Sequence, residues 1–352
     1  MFGKIRPFIF KFDPETAHNL AIQALKFNLM PRNQKQNFKH IETEIFNKKI
    51  PNPIGLAAGF DKNAEVIKSM FTLGFGFVEI GTVTPNPQKG NSKPRIFRLD
   101  EDLGVINSLG FNNKGSKKVK KNLLKLKNNL LQNKIIGINL GKNRSSINSI
   151  DDYLSGMETL GDLSSYIAIN ISSPNTQGLR DLQLRGNIEN LIKKIIKKRE
   201  EIESINRKPI LIKISPDLNE DQLRDIALIA LANNIDGLIL TNTTTNRPDY
   251  LLSKNKIFKG GLSGKPLFSI SNEILRKMYN LTNGQIILIG VGGIESGSDC
   301  YEKIKSGASL IQLYTALTYN GPSLISKIKN ELSDLIKTDG YKSITEVIGK
   351  SV

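Results

Sequence analysis

Eight short apolar runs punctuate the chain, each closed by a polar or glycine-rich turn: Ile54–Ala58, Phe77–Val83, Ile135–Leu140, Tyr166–Ile171, Ile210–Ile214, Gly237–Thr241, Ile286–Val291 and Leu310–Tyr314. Most are continuous rather than alternating and rich in Ile, Val and Leu. That is the pattern of parallel strands buried on both faces. Helical stretches lie between them, at Asn63–Leu73, Ser116–Leu131, Asn187–Ile205, Asn219–Ala232, Ser269–Tyr279, Ser296–Ser306 and Pro322–Ile336. Asp217 or Asn219 is placed to cap the helix that starts there. The repeated strand–helix alternation predicts an α/β chain closed into a (β/α)8 TIM barrel. A doubly wound open sheet is the competing arrangement, and the count of eight favours closure.

Two connections are too long for simple turns. Thr84–Asn113 contains the short alternating pieces Arg95–Leu99 and Gly104–Ile106, which predict a small hairpin over the barrel top. Thr243–Lys265 is a similar insertion. The first 40 residues precede the barrel pattern. MFGKIRPFIFKF interleaves Phe2, Phe8, Phe10 and Phe12 with Lys4, Arg6 and Lys11. Asp13, Pro14 and Glu15 then carry the signature of a helix start, Ala17, Leu20, Ala21, Ala24 and Phe27 form its apolar stripe, and Pro31 closes it. The pattern alone leaves two readings open: a helix packed on the barrel's end, or an amphipathic element lying on a membrane.

Composition narrows the picture. Fifty Lys and Arg against 33 Asp and Glu give a formal charge of +17. An anionic partner and a simple compositional drift toward Lys, Asn and Ile both account for it. The lysines fall mostly on predicted helix faces, such as Lys117, Lys118, Lys120 and Lys121 or Lys193, Lys194, Lys197 and Lys198, where charge runs are solvated. No nucleic-acid motif accompanies them, so no nucleic-acid partner is expected. The single cysteine, Cys300, leaves no internal disulfide framework and fits a reducing compartment. With two histidines, His18 and His40, a His/Cys metal site is not expected. No run reaches the ~18 apolar residues of a membrane span, and no secretory signal opens the chain. The expected place is the cytosol or its membrane surface.

The strand ends carry the candidate chemistry. AAGFDK, residues 57–62, offers a backbone that a flat ligand can approach closely and then a cation, Lys62. A tight turn with a solvated lysine fits the same residues. Glu79, inside an apolar strand, needs a partner if buried; Thr82 and Thr84 follow it. NSLGFNN, residues 107–113, is a set of amide donors and acceptors, or a capped loop. Asn139 ends the third run. The fourth ends in Asn170, Ser172, Ser173 and Asn175. Lys213 lies mid-strand, so it must face the barrel mouth and meet negative charge. Thr241, Asn242 and Thr243 end the sixth run. Gly292 and Gly293 follow the seventh strand, where barrels often hold a phosphate on backbone N–H groups. A mouth of amides, hydroxyls and two lysines suits an organic cofactor that brings its own reactivity. Flavin mononucleotide (FMN) fits, with its phosphate on the last two loops and Lys213 at the electron-rich edge of the ring.

The segments GLAAGFDK, EIGTVTPNPQKGNSKPRIFRL, NSLGFNN, GINLGKN, YIAINISSPNTQGLR, KISPD, TNTT, GGLSGKPL, GVGGI and LIQLYT, in this order between about residues 13 and 322, resemble dihydroorotate dehydrogenases. More narrowly they resemble the membrane-associated, quinone-linked class 2. The resemblance implies oxidation of (S)-dihydroorotate to orotate in pyrimidine synthesis. A base takes the C5 proton, the C6 hydride passes to FMN, and electrons go on to ubiquinone or menaquinone. It places the base at Ser173, in NISSPN, where soluble class 1 relatives usually carry a cysteine. A serine hydroxyl is a poor base, so desolvation and a relay through a neighbouring hydroxyl or water are expected to assist it. It places substrate contacts at Lys62, Asn107, Ser108, Leu109, Gly110, Phe111, Asn170, Asn175, Asn242 and Thr243. It places FMN contacts at Ala58, Gly59, Phe60, Asp61, Lys62, Thr82, Asn139, Asn170, Lys213, Thr241, Gly264, Gly293, Tyr314 and Thr315. His18, Arg98 and Tyr314 match positions lining a quinone tunnel. Residues 1–40 then become a membrane-touching helical extension, and residues 41–352 the FMN-binding barrel. With no transit peptide before it, the chain is expected on the cytoplasmic face of a bacterial inner membrane, as a peripheral protein.

Overall fold

The computed structural model describes residues 2–27, 29, 38–126 and 133–352. Ile54–Leu56, Phe77–Val83, Ile135–Leu140, Tyr166–Asn170, Ile210–Ile214, Gly237–Leu240, Ile287–Val291 and Leu310–Leu313 form one closed barrel. They are referred to below as the first to eighth barrel strands. Neighbours in sequence are neighbours in space, every pairing is parallel, and the eighth strand pairs the first. The closed barrel buries both faces of its strands. Phe77, Ile135, Tyr166, Ala168, Leu211, Ile239, Ile289 and Leu310 fill the inside, and a second, larger cluster lies between strands and helices. Inside the barrel, small residues make room for large ones. A Cβ on Gly137 would run into the Tyr166 ring, so glycine there lets the tyrosine cross the axis. A hairpin, Thr43–Ile45 with Lys48–Ile50, packs Ile45 and Ile50 under that interior; the sequence pattern did not announce it.

Four other differences concern helices, and two of them have local causes on view. The first barrel helix begins at Ile67, not Asn63, because the Asp61 carboxylate accepts the backbone N–H groups of Asn63, Glu65 and Val66 at 2.8–3.3 Å and winds a turn first. A helix at Ser149–Leu160 was not expected amid so many Ser, Asn and Gly residues. Asn148 caps it, and Ile150, Tyr153, Met157 and Leu160 form its buried face. Phe2–Ile9 is also helical. The helix expected at Ser116–Leu131 runs Ser116–Leu123; residues 127–132 and the expected stop at Pro31 lie outside the described residues.

The long connections form one roof. Ile96–Leu99 and Gly104–Asn107 make the expected hairpin, and Gly261–Gly264, from the other insertion, adds a third antiparallel strand. The N-terminal helix Pro14–Lys26 starts as expected: Asp13 accepts from the N–H groups of Glu15 and Thr16, each at 3.0 Å. It is clamped to the roof by Arg95, whose Nε and Nη2 donate to the two Glu15 carboxylate oxygens at 3.0 and 2.6 Å. Arg98 donates to the carbonyls of Phe10 and Phe12 at 2.9 and 2.6 Å, with Phe10 under its guanidinium.

Candidate active site

The site is built upward from Glu79, a fully buried carboxylate in the second strand. It accepts hydrogen bonds from Asn139 Nδ2 at 2.9 Å, the Tyr166 hydroxyl at 2.7 Å and Gln312 Nε2 at 2.9 Å. Those are the partners its burial demanded, drawn from three other strands. Above it lies a layer of mutually locked amides and hydroxyls. Thr82 donates to Asn139 Oδ1 at 2.6 Å and accepts from Asn170 Nδ2 at 2.9 Å. Asn170 Oδ1 in turn accepts from the Ser172 hydroxyl at 2.9 Å and from Asn242 Nδ2 at 3.3 Å. Such a connected network leaves little freedom to rotate any member.

Lys213 rises into the same mouth. It is 5% exposed, and among the described residues it has no carboxylate at ion-pair distance. Burial pushes its pKa down and the Glu79 charge works against that push. A buried cation facing an open cavity is costly unless the cavity receives electron density.

The cavity itself, about 480 Å³, runs from the strand ends to the N-terminal helices. One end is polar, with Lys62, Asn107, Leu109, Gly110, Phe111, Asn170, Ser173, Asn175, Asn242 and Thr243 on its walls. The middle is walled by Ala58, Gly59, Phe60, Thr82, Lys213, Thr241, Gly264, Gly293, Tyr314 and Thr315. The far end is apolar, with Phe10, Phe12, Ala17, Leu20 and Ala21 around His18 and Arg98. Three expected contacts sit elsewhere. Asp61 does not line the cavity, because its carboxylate is spent on the turn that follows it. Asn139 lies one layer below, between Glu79 and Thr82. Ser108 lines a separate chamber.

Ser173 is 6% exposed, and its Oγ accepts the Asn175 N–H at 3.3 Å. The adjacent Ser172 hydroxyl donates to Asn170 Oδ1 at 2.9 Å. Asn175 Nδ2 donates to the carbonyl and side-chain oxygens of Asn107 at 3.0 and 3.2 Å. Burial lowers the Lys62 pKa to about 8, Glu15 opposing and Arg95 adding to the fall. Burial also lowers His18 to about 3, helped by the Lys62 charge. His18 is therefore neutral at physiological pH. Its Nδ1 lies 3.4 Å from the Tyr314 hydroxyl, and its ring packs edge-on to Phe60.

One residue near the site escaped the sequence reading. Lys303 is fully buried; its Nζ donates to Ser271 Oγ at 2.8 Å and Asn272 Oδ1 at 2.9 Å. Ser271 Oγ donates to the Gly292 carbonyl at 3.2 Å, so Lys303 braces the glycine pair from behind. Its spacing from Cys300, on the buried stripe of a helix, was the available signal. Burial lowers its pKa to about 7. The unfolded chain keeps that proton to about pH 10.5, so the lysine's contribution makes stability climb as pH rises from 7 toward 10. In urea denaturation at pH 7 and pH 9, Lys303→Met is expected to lack this climb relative to the unsubstituted chain.

A family model, "Dihydroorotate dehydrogenase", matches residues 40–336. The chain is 46% identical to the mitochondrial dihydroorotate dehydrogenase (quinone) of Mus musculus, over 96% of this chain and 86% of that one. It is also 46% identical to dihydroorotate dehydrogenase (quinone) of Azorhizobium caulinodans, over 100% and 99%. The chain belongs to the dihydroorotate dehydrogenase family. A crystal structure of DHODH from Eimeria tenella in complex with ferulenol superposes with a TM-score of 0.92 at 38% identity, covering 96% of this chain and 95% of that one. In this dihydroorotate dehydrogenase the strand ends and the N-terminal helices line one and the same cavity.

Proposed function

We infer that the chain oxidises (S)-dihydroorotate to orotate in pyrimidine synthesis, with FMN as hydride acceptor and a membrane quinone, ubiquinone or menaquinone, as final acceptor. The observation that carries this reading is the meeting, in one cavity, of Ser173, four asparagines and the buried Lys213. The asparagines Asn107, Asn170, Asn175 and Asn242 present the alternating donors and acceptors that an imide ring needs. Lys62 supplies a cation for the substrate carboxylate. Ser173, desolvated, takes the C5 proton as its own hydroxyl proton passes to a neighbouring hydroxyl or water, with the charges of Lys62 and Lys213 favouring the transient alkoxide.

The residues present suit FMN. The cavity is within the ~300–1,000 Å³ usual for cofactors. Gly293, at φ 77°, packs so tightly on Phe268 that a Cβ would strike its backbone, leaving backbone rather than side chains to face a phosphate. Thr315 Oγ1 is held by Ser263 at 2.9 Å beside it. A bound flavin would supply the hydride acceptance and onward electron release that the side chains lack. Lys213 balances the charge this brings. Neutral His18, Arg98 and Tyr314 wall the quinone end, where His18 serves as a neutral polar contact.

On the outside of the N-terminal helices Phe8, Phe12, Leu20 and Phe27 are 51–71% exposed, beside Lys4, Arg6 and Lys11. No described helix is long and apolar enough to cross a membrane. This apolar, cation-edged surface supports peripheral seating on an anionic bilayer, which we place at the cytoplasmic face of a bacterial inner membrane. The test is sequential. Anaerobic mixing with dihydroorotate should bleach the yellow protein, and vesicles carrying a quinone should restore the colour. A protein that stays yellow, or recolours equally well with fumarate or NAD, overturns the reading.

A further inference from the structure

Behind the Gly292–Gly293 strap lies a cation that the proposed chemistry does not use. Lys303 is fully buried and, among the described residues, has no carboxylate at ion-pair distance. Its Nζ donates to Ser271 Oγ at 2.8 Å and to Asn272 Oδ1 at 2.9 Å, and stands 5.1 Å from the centroid of the Phe268 ring. Those three residues lie in the opening turns of the helix Phe268–Thr282, the end where a helix dipole repels a cation. The acids nearby are engaged elsewhere. Glu302 on the lysine's own helix is paired with Arg276 on the facing one, and Asp299 accepts the Glu295 N–H at 3.0 Å. Burial keeps Cys300 a thiol. A charge in so costly a place calls for an anion that the side chains do not supply.

The contacts say where that anion would lie. The Ser271 hydroxyl, its oxygen turned to Lys303, reaches the carbonyls of Phe268 and Gly292 at 3.0 and 3.2 Å. The peptide between Gly292 and Gly293 is trans, so its N–H points opposite to its carbonyl. With that carbonyl turned back to Ser271, the Gly293 N–H is turned to the cavity that both glycines line, and it has no protein acceptor among the described residues. Phe268, beneath the lysine, is also the residue on which Gly293 packs.

We propose that Lys303 is a positioning residue for the flavin phosphate: through Ser271 it sets the Gly292–Gly293 peptide with its N–H outward, and its charge stands behind that N–H. The proposal rests on the reading of FMN as cofactor given above. Burial alone lowers the lysine's pKa to about 7, and a phosphate held on the strap favours the charged form. The pH-linked stability derived for this residue therefore belongs to the flavin-free chain.

The test is an exchange. Holoenzyme is equilibrated with a mixture of FMN and riboflavin, which differ only in the phosphate, and the bound flavins are separated and quantified. Lys303→Met is expected to shift the bound ratio about ten-fold toward riboflavin, the effect of one unit charge acting through a partly screened interior. Ser271→Ala keeps the charge but cuts the link to Gly292, and is expected to shift the ratio about three-fold, as for one ordinary hydrogen bond. A general loosening of the fold weakens both flavins alike and leaves the ratio where it was. An unchanged ratio in either variant overturns the proposal, and each suffices where the other does not accumulate. Failure of the FMN reading would show differently, as unsubstituted protein that takes riboflavin as readily as FMN or holds neither.

Discussion

Ser173→Ala is expected to retain its flavin, read from the visible spectrum, while bleaching by dihydroorotate slows by about 10²–10⁴-fold, the usual worth of a positioned proton acceptor. The hydroxyl lies at the polar end of the cavity, almost wholly out of water, with one lone pair held by the Asn175 N–H. Beside it on that wall stand asparagine amides, the Thr243 hydroxyl and the Lys62 cation. Ser173→Cys provides the complementary arm. A thiol has an ordinary pKa near 8.5, so part of the rate should return and should increase with pH through that region. A near-normal bleaching rate in the alanine variant would remove Ser173 from the chemistry.

The second large effect lies at the bottom of the site. Glu79→Ala should lower stability by about 3–5 kcal/mol, the typical cost of breaking a buried charge arrangement from one side. The loss would strand the Asn139 amide and the Tyr166 hydroxyl without their acceptor, together with one Gln312 donor. It would also remove the one negative charge that acts on Lys213 among the described residues. Urea titration checks it. Should the alanine variant not accumulate as folded protein, Glu79→Gln is the informative substitute. It keeps an acceptor oxygen in place while removing the charge, so it should fold with a smaller loss. A glutamine variant as unstable as the alanine one would mean that charge, not hydrogen bonding, holds the floor together.

How far the chain could be read in advance depended on whether the determining contacts were local. All eight barrel strands were readable because burial on both faces leaves an unbroken apolar run, as at Phe77–Val83 and Ile135–Leu140. The cap at Asn219 was readable because its partner, Gln222, is three residues away. Gly261–Gly264 was not, since GGLSG has no strand-like side chains and is recruited by Gly104–Asn107, more than 150 residues earlier. Asp61 looked like a cofactor contact because it sits inside AAGFDK; only the coordinates reveal that its oxygens turn inward to the backbone. The lowered pKa of Lys62 was equally hidden, being set by burial in the closed site, with Glu15 opposing and Arg95 adding from distant stretches of chain. Candidate residues could be named one by one, but their layering, with Asn139 below Asn170 and Asn170 on the cavity wall, is a property of the closed barrel.

The clamp between Glu15 and Arg95 carries a wider consequence. The same Arg95 donates to the carbonyls of Lys89 and Asn91, each at 2.7 Å, and its own carbonyl receives the Ser108 N–H at 2.8 Å. Asn91 then reaches the carbonyl of Asn175 at 3.2 Å. One guanidinium thus fastens the N-terminal arm and, by a short chain of bonds, the loop that follows the fourth barrel strand. Trimming away that arm to make a tamer, more soluble barrel would leave an enclosed positive charge without its opposite and slacken the grip at the far end of the molecule.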